Sequence, residues 1–370
     1  MHIVHIETGG GSGGQPLRTV NESLGMITRG HKITIICPES IYLNTAARHA
    51  GLNVVNLPLI KKNWANFKIL RTWFLEHRNE IDVINCHNSI DTWLCALVSM
   101  TLSIAPIIRT RHSSGEIRKN IANRWLFSRK CSHIVTTGEA LRLQYSAVGV
   151  PFSQSTSVPS GVDIQRFKPR EKQTCRTALN LPENKFLIGV VAGLRFAKGH
   201  HLLLEIANNL PADAVFVFVG GGPEFEKLQA ACESKRLQDR VIMVGHQNRP
   251  EDWFPAFDIT ISPSFYDEGV PQGVMQAMAC RIASIATDAG GTQDVVKNNH
   301  SGLLIPMNNL VAIQESIEKL YHNSSLREQL AEQGYKTVMA NFTQDKMLDA
   351  MEDIFARAIQ GNKLSDPVRQ

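Results

Sequence analysis

Phe186-Leu-Ile-Gly-Val-Val-Ala-Gly-Leu-Arg-Phe-Ala-Lys-Gly199 is the stretch whose reading decides the fold. Its first six residues are apolar and include Ile188, Val190 and Val191, the pattern of a short buried strand. A loop with two glycines and two bases follows, and helical spacing resumes over 201–209. In a parallel sheet such strand-end loops face the ligand crevice, so Arg195 and Lys198 can reach one anionic group. Arginine offers a planar fork of donors and lysine a mobile point charge, a pair suited to a pyrophosphate.

The same unit recurs in both directions. Downstream, strands are expected at 214–219, 241–244, 259–262 and 282–286, with helices at 224–235, 273–279 and 312–322. Upstream, strands at 3–6, 32–37, 53–57, 83–86, 106–110 and 133–137 enclose helices at 16–30, 67–78 and 141–148. Strand alternating with helix predicts α/β architecture with parallel sheets covered on both faces. Residues 165–185 are polar, contain Pro169 and Pro182, and read as a linker. The expected organisation is two Rossmann-like, doubly wound domains facing each other across a cleft. They span 1–168 (acceptor side) and 169–342 (donor side), with 343–370 forming a helix that packs back on the first.

A chain of 370 residues suits two domains, and 43% hydrophobic with 20% charged residues is an ordinary globular composition. Residues 1–170 carry 20 Lys and Arg against 10 Asp and Glu, while the remainder carries 19 against 24. A basic half beside an acidic one points to an anionic partner on one side. No recognition helix or aromatic reading module supports nucleic acid in that role. The seven cysteines are scattered, with no pair separated by two residues, so the chain reads as reduced and cytoplasmic. The opening Met1-His-Ile-Val-His-Ile6 enters a strand at once and lacks a signal-peptide pattern. Residues 92–108 are uncharged, but Thr92, Ser99, Thr101, Ser103 and Pro106 make them a buried helix and strand rather than a membrane span.

Gly9-Gly-Gly-Ser-Gly-Gly14 follows the first strand and precedes a helix. Glycines let backbone N–H groups approach a phosphate, and the helix terminus adds positive potential. Gly9, Gly11 and Gly14 also satisfy GxGxxG, which with Glu39 leaves a nicotinamide-dinucleotide reading open. In the second half, Glu268-Gly-Val-Pro271 opens a helix, placing a carboxylate for sugar hydroxyls beside free backbone N–H donors. Gln276 lies two turns along that helix on roughly the same face. Asp288-Ala-Gly-Gly-Thr292 adds another strand-end loop.

The ordered set Gly13-Gly-Gln15, Arg109-Thr-Arg-His112, Pro159-Ser-Gly-Val-Asp163, Arg195-Phe-Ala-Lys-Gly199, Gly220-Gly-Gly-Pro223, Glu268-Gly-Val-Pro271 and Gly290-Gly-Thr292 resembles glycosyltransferase family 4. The resemblance implies the GT-B fold and transfer of a sugar from a nucleotide-sugar donor with retained anomeric configuration. By position it implies that Arg195 and Lys198 hold the donor diphosphate and that Gly13 and Gly14 close over it. Glu268 would contact the sugar, and Gly269, Val270 and Pro271 would supply backbone contacts. His112 would sit beside the reacting sugar, and Gly245 and His246 at the base. The family carries two glutamates with seven residues between them, the second on the ribose; here that position is Gln276, which keeps hydrogen bonding without charge.

No Asp-x-Asp pair occurs, so no metal or other cofactor is expected. The resemblance is closest to bacterial family members that build lipopolysaccharide or other surface glycans, which implies a glycan or lipid-linked acceptor and a cytoplasmic protein peripheral to the inner face of the cytoplasmic membrane. Lys61, Lys62, Lys68 and Arg71 interleave with Trp64, Phe67, Leu70, Trp73 and Phe74, which suits an anionic membrane surface or a stripe packed on the sheet. Arg109, Arg111, Arg118, Lys119, Arg124, Arg129 and Lys130 form a second basic stretch. A nucleotide-sugar epimerase of the same fold, and a non-catalytic sugar-nucleotide-binding partner, are the competing readings.

Overall fold

The computed structural model describes residues 1–11, 13–112, 115–266 and 269–365. The chain forms two compact units, one of Met1–Ser160 with the chain from Asp345 onward, the other of Gly161–Gln344.

The first unit holds β1 (His2–Ile6), β2 (Lys32–Cys37), β3 (Val54–Asn56), β4 (Val83–Cys86), β5 (Ile107–Arg111), β6 (His133–Thr136) and β7 (Ser155–Ser157). They pair in the order β3-β2-β1-β4-β5-β6-β7. Every pairing is parallel. Helices cover both faces, so strand residues alternate between two cores. Val4 and Ile6 pack with Phe67, Leu70 and Phe74. Ile3, Ile33 and Ile35 pack with Met347, Leu348, Met351 and Phe355 of the last helix, Gln344–Ser365. That helix is also tied by Arg29, whose Nη1 lies 2.9 Å from Asp349 and 3.0 Å from Glu352.

The second unit holds β8 (Phe186–Val191), β9 (Ala214–Val219), β10 (Val241–Gly245), β11 (Ile259–Ser262), β12 (Ala283–Thr287) and β13 (Leu303–Ile305). Their order is β10-β9-β8-β11-β12-β13, again all parallel. Each sheet reverses its winding once, between β1 and β4 and between β8 and β11. Those two switch points are where open α/β sheets bind ligands.

Residues 165–185 are not a free linker. They contain the helix Lys172–Ala178, and Phe167, Cys175 and Leu181 are buried in the second unit's core. Arg176 is buried too, with Nη2 2.6 Å from Asp258 and Nη1 donating to the carbonyls of Glu183 and Lys185. Polarity here marks ion pairing with the fold rather than solvation. Helix Ser324–Asn341 has no counterpart in the sequence reading, because its buried stripe is only Leu330, Gly334 and Val338, too narrow to show as periodicity.

Candidate active site

At the second switch point the loops after β8, β9, β11 and β12 close on one another. The turn Phe196–Lys198 follows β8 and ends at Gly199, which has φ +73°. A Cβ there would strike the carbonyl oxygen of Pro263, in the loop after β11. The Phe265 amide donates to the Ala197 carbonyl at 3.1 Å, tying the same two loops. Gly220 and Gly222, after β9, lie against the Ala192 and Leu194 carbonyls. A Cβ on Gly291, after β12, would stand 2.8 Å from the Val270 amide nitrogen. Side chains are excluded because backbones meet, and polar backbone groups line the end of the sheet.

Arg195 is exposed on this turn and Lys198 half-buried, with Phe196 stacked on His201 at 4.6 Å between ring centroids. Helix Gln272–Ala279 begins just after Pro271, and a Cβ on Gly273 would come within 2.9 Å of the Val191 carbonyl oxygen at the tip of β8. Arg195, Lys198, Gly269, Val270, Pro271 and half-buried Gln276 are thus held on loops and a helix that share one end of one sheet. Gly245 closes β10 with φ +78°, and exposed His246 follows it. Glu268 lies outside the described residues.

The first switch point gathers another group. Gly13 caps helix Gly14–Thr28 after β1, so first-turn amides have no intrahelical acceptor. No described glycine of the 9–14 loop has positive φ; the requirement is space, since a Cβ on Gly9 would lie 2.9 Å from the Asn88 side chain. His112 follows β5, half-buried, with Nε2 2.9 Å from Nδ1 of His87. His87 follows β4 and in turn places Nε2 3.0 Å from Nδ1 of His5 on β1. Burial holds all three imidazoles below their ordinary pKa, His5 at about 3, and the charges of Arg18 and Arg109 push His87 and His112 the same way.

Two sequence profiles divide the chain between them: "Glycosyltransferase Family 4" matches residues 12–166 and "Glycosyl transferases group 1" matches residues 171–337. The chain belongs to glycosyltransferase family 4. This glycosyltransferase is 23% identical over 348 residues to the UDP-Gal:alpha-D-GlcNAc-diphosphoundecaprenol alpha-1,3-galactosyltransferase of Escherichia coli, covering 87% of this chain and 88% of the relative. It is 32% identical over 216 residues to the putative teichuronic acid biosynthesis glycosyltransferase TuaC of Bacillus subtilis, covering 57% and 52%. The crystal structure of Anabaena HepE in complex with UDP superposes with TM-score 0.85 at 17% identity, covering 96% of this chain and all of that one. A Rickettsia africae glycosyltransferase gives 0.86 at 18% identity, covering 97% and 98%. The fold is GT-B, built from two Rossmann-like domains.

The glycosyltransferase also holds groups that sequence reasoning passed over. Glu7, at the end of β1, is fully buried, and burial raises its carboxyl pKa to about 7; the Thr19 hydroxyl donates to it at 2.8 Å. Asp91 is likewise raised to about 7, burial outweighing Arg109 and the Asn88 and Thr92 amides. The available signal was a carboxylate directly ahead of a glycine loop. Arg109 and Arg111, members of the second basic stretch, are both buried. Arg109 Nη1 donates to the Cys86 and Thr110 carbonyls, and Arg111 to the Gly115 carbonyl. Within Pro159-Ser-Gly-Val-Asp163, Val162 bridges to Thr343 and Asp163 caps the Gln165 amide at 2.9 Å, which are structural duties.

Proposed function

We propose that this glycosyltransferase transfers a sugar with retention from a nucleoside-diphosphate-sugar to a lipid-linked or glycan acceptor of bacterial lipopolysaccharide or another surface glycan, without a metal. The observation that carries the reading is the closure of the β8 and β11 loops, which puts Arg195, Lys198 and the backbone of 269–273 at one switch point. There the two cations and free amides meet a diphosphate and supply charge that a divalent ion supplies elsewhere. Gln276 takes the ribose, Gly245 and His246 the base, Glu268 and His112 the sugar, and Gly13 and Gly14 cover the phosphates. The acceptor oxygen bonds to the anomeric carbon on the face that the leaving phosphate vacates. The bond from that carbon to the phosphate oxygen breaks, and the acceptor's proton passes to the departing diphosphate. As the leaving group gains charge, Arg195 and Lys198 stabilise it more than the intact donor.

The activity named for the Escherichia coli relative, with a UDP-galactose donor and a diphosphoundecaprenol-linked acceptor, supports both halves of this reading. HepE was solved with UDP and with UDP-glucose. Arg195→Ala and Lys198→Ala should each lower kcat/KM about 10- to 150-fold, the worth of one charge-assisted hydrogen bond, with little change in melting temperature. Full turnover in both would overturn the site.

No helix among the described residues is long and apolar enough to cross a membrane. A membrane-facing surface on the first unit fits a lipid-linked acceptor. Trp64 is 66% exposed with Lys68 over its ring, and Ile60 and Ile121 are also exposed. Lys62 lies over Trp93, Trp93 stacks on Trp125, and Lys130 lies over Trp125, so Lys62 of the first basic stretch and Lys130 of the second belong to one patch. Arg124, Trp125, Arg129 and Lys130 line a cavity of about 910 Å³ there. Sedimentation with anionic liposomes at low salt should carry the protein down, and Lys61→Glu with Trp64→Ala should release it; failure of the wild type to sediment would refute the surface.

A further inference from the structure

The row His5–His87–His112 crosses three neighbouring strands, β1, β4 and β5. Successive ring centroids are 5.2 Å apart. Its inner end, Nε2 of His5, is buried without a hydrogen-bond partner. Its outer end is Nδ1 of His112. Each ring is neutral at ordinary pH for the reasons given above, so each carries one proton on two nitrogens.

Each of the two ring-to-ring contacts needs one N–H and one bare nitrogen. Only two assignments meet both conditions. With every proton on Nε2, His112 turns a bare nitrogen outward and His5 buries an N–H that has no acceptor. With every proton on Nδ1, His112 turns an N–H outward and His5 buries a bare nitrogen. Orphaned buried N–H groups are rarer in folded proteins than unsatisfied acceptors. The positive charge of Arg18 acts on His5 and favours a lone pair there over the positive pole of an N–H. The second assignment therefore prevails.

We propose that His5 and His87 are positioning residues that fix His112 as its Nδ1–H tautomer, so that His112 donates a hydrogen bond to an oxygen of the bound nucleotide-sugar. The inference rests on His112 belonging to the donor site, and it deepens that reading: the site wants an acceptor atom opposite His112, such as a hydroxyl or phosphate oxygen, and disfavours a donor. His87 acts through His112 by holding an N–H against its Nε2, and His5 acts through His87.

The test is long-range 1H–15N correlation on wild-type protein with 15N-labelled histidine, with His112 assigned by the signals lost in His112→Asn. The expected pattern is a protonated Nδ1 and a bare Nε2 on His112, unchanged from about pH 6 to 8, far above the pKa near 3 of His5. A proton on Nε2 overturns the proposal, and this readout needs no folded variant. His87→Gln keeps an N–H for His112 and a carbonyl for His5, so it should retain the Nδ1–H pattern and kcat within about threefold, while His87→Leu should lower kcat about tenfold with a smaller change in donor KM, the worth of one hydrogen bond. Equal losses in the two variants with an unchanged His112 pattern would also overturn it. A wild type that binds neither UDP nor any other nucleoside diphosphate by calorimetry would defeat the donor reading instead, and the tautomer pattern would still stand or fall separately.

Discussion

Gly199→Ala probes the joint on which the proposed donor site depends. An alanine there must hold φ +73°, and its methyl must share space with the Pro263 carbonyl oxygen. The left-handed conformation costs about 1–2 kcal/mol for an L-residue. Forcing a methyl into a packed backbone contact costs roughly 1–3 kcal/mol more. Together about 2–5 kcal/mol is lost, either in stability or by pushing the β11 loop away from the turn that carries Arg195 and Lys198. The first outcome lowers Tm by on the order of 10 °C. The second displaces Lys198 and weakens UDP binding roughly 10- to 150-fold, the worth of one charge-assisted hydrogen bond. Gly193→Ala is the control: it lies in the same loop, yet its Cβ would find only the Gly221 carbonyl oxygen at 3.8 Å, an ordinary contact. It should stay within about 0.5 kcal/mol of wild type. Thermal melts and calorimetric titration with UDP would read both variants. If Gly199→Ala melts and binds like wild type, or Gly193→Ala falls equally far, the loops do not close as described.

Glu7→Gln should differ from wild type in a pH-dependent way. The Glu7 carboxyl has its pKa raised from 4.5 to about 7, so folding takes up a proton between those values. Its contribution to stability is therefore most favourable below about pH 4.5 and is lost as pH rises to about 7, a span of roughly 3 kcal/mol at 1.36 kcal/mol per unit. Melts of both proteins between pH 4.5 and 8 should show wild type losing ground to the variant as pH rises, and a constant gap would refute the burial argument. Gln276→Glu should tighten binding of a nucleoside diphosphate by about fivefold, the difference between a neutral and a charged hydrogen bond, with no comparable gain for the 2′-deoxy analogue. Equal gains for both nucleotides would place residue 276 away from the ribose.

Alternation of strands and helices was legible from periodicity, because each buried strand needs an apolar run and each covering helix a 3.6-residue stripe. The helix Lys172–Ala178 was not, since Arg176 and Lys172 owe their place to Asp258, about eighty residues away in sequence. The placement of Arg195, Lys198 and the 269–271 backbone was legible for a different reason: they sit at strand ends, where order along the chain already implies one edge of the sheet. Family resemblance then attached roles to them.

By itself the sequence determined the α/β class and the repeated βα units, which are encoded in local spacing, while the family showed through the resemblance of its ordered motifs. Only the tertiary structure decided which bases face solvent. Arg109 and Arg111 look like members of a basic surface and are buried on β5, while Lys62 and Lys130, far apart in sequence, meet through Trp93 and Trp125. It alone also brought His5, His87 and His112 into one row, because strand order in a parallel sheet sets neighbours that the chain separates by tens of residues. Local spacing records which way a side chain points along its own element; contacts between elements depend on the order in which strands join the sheet, and no single element carries that order.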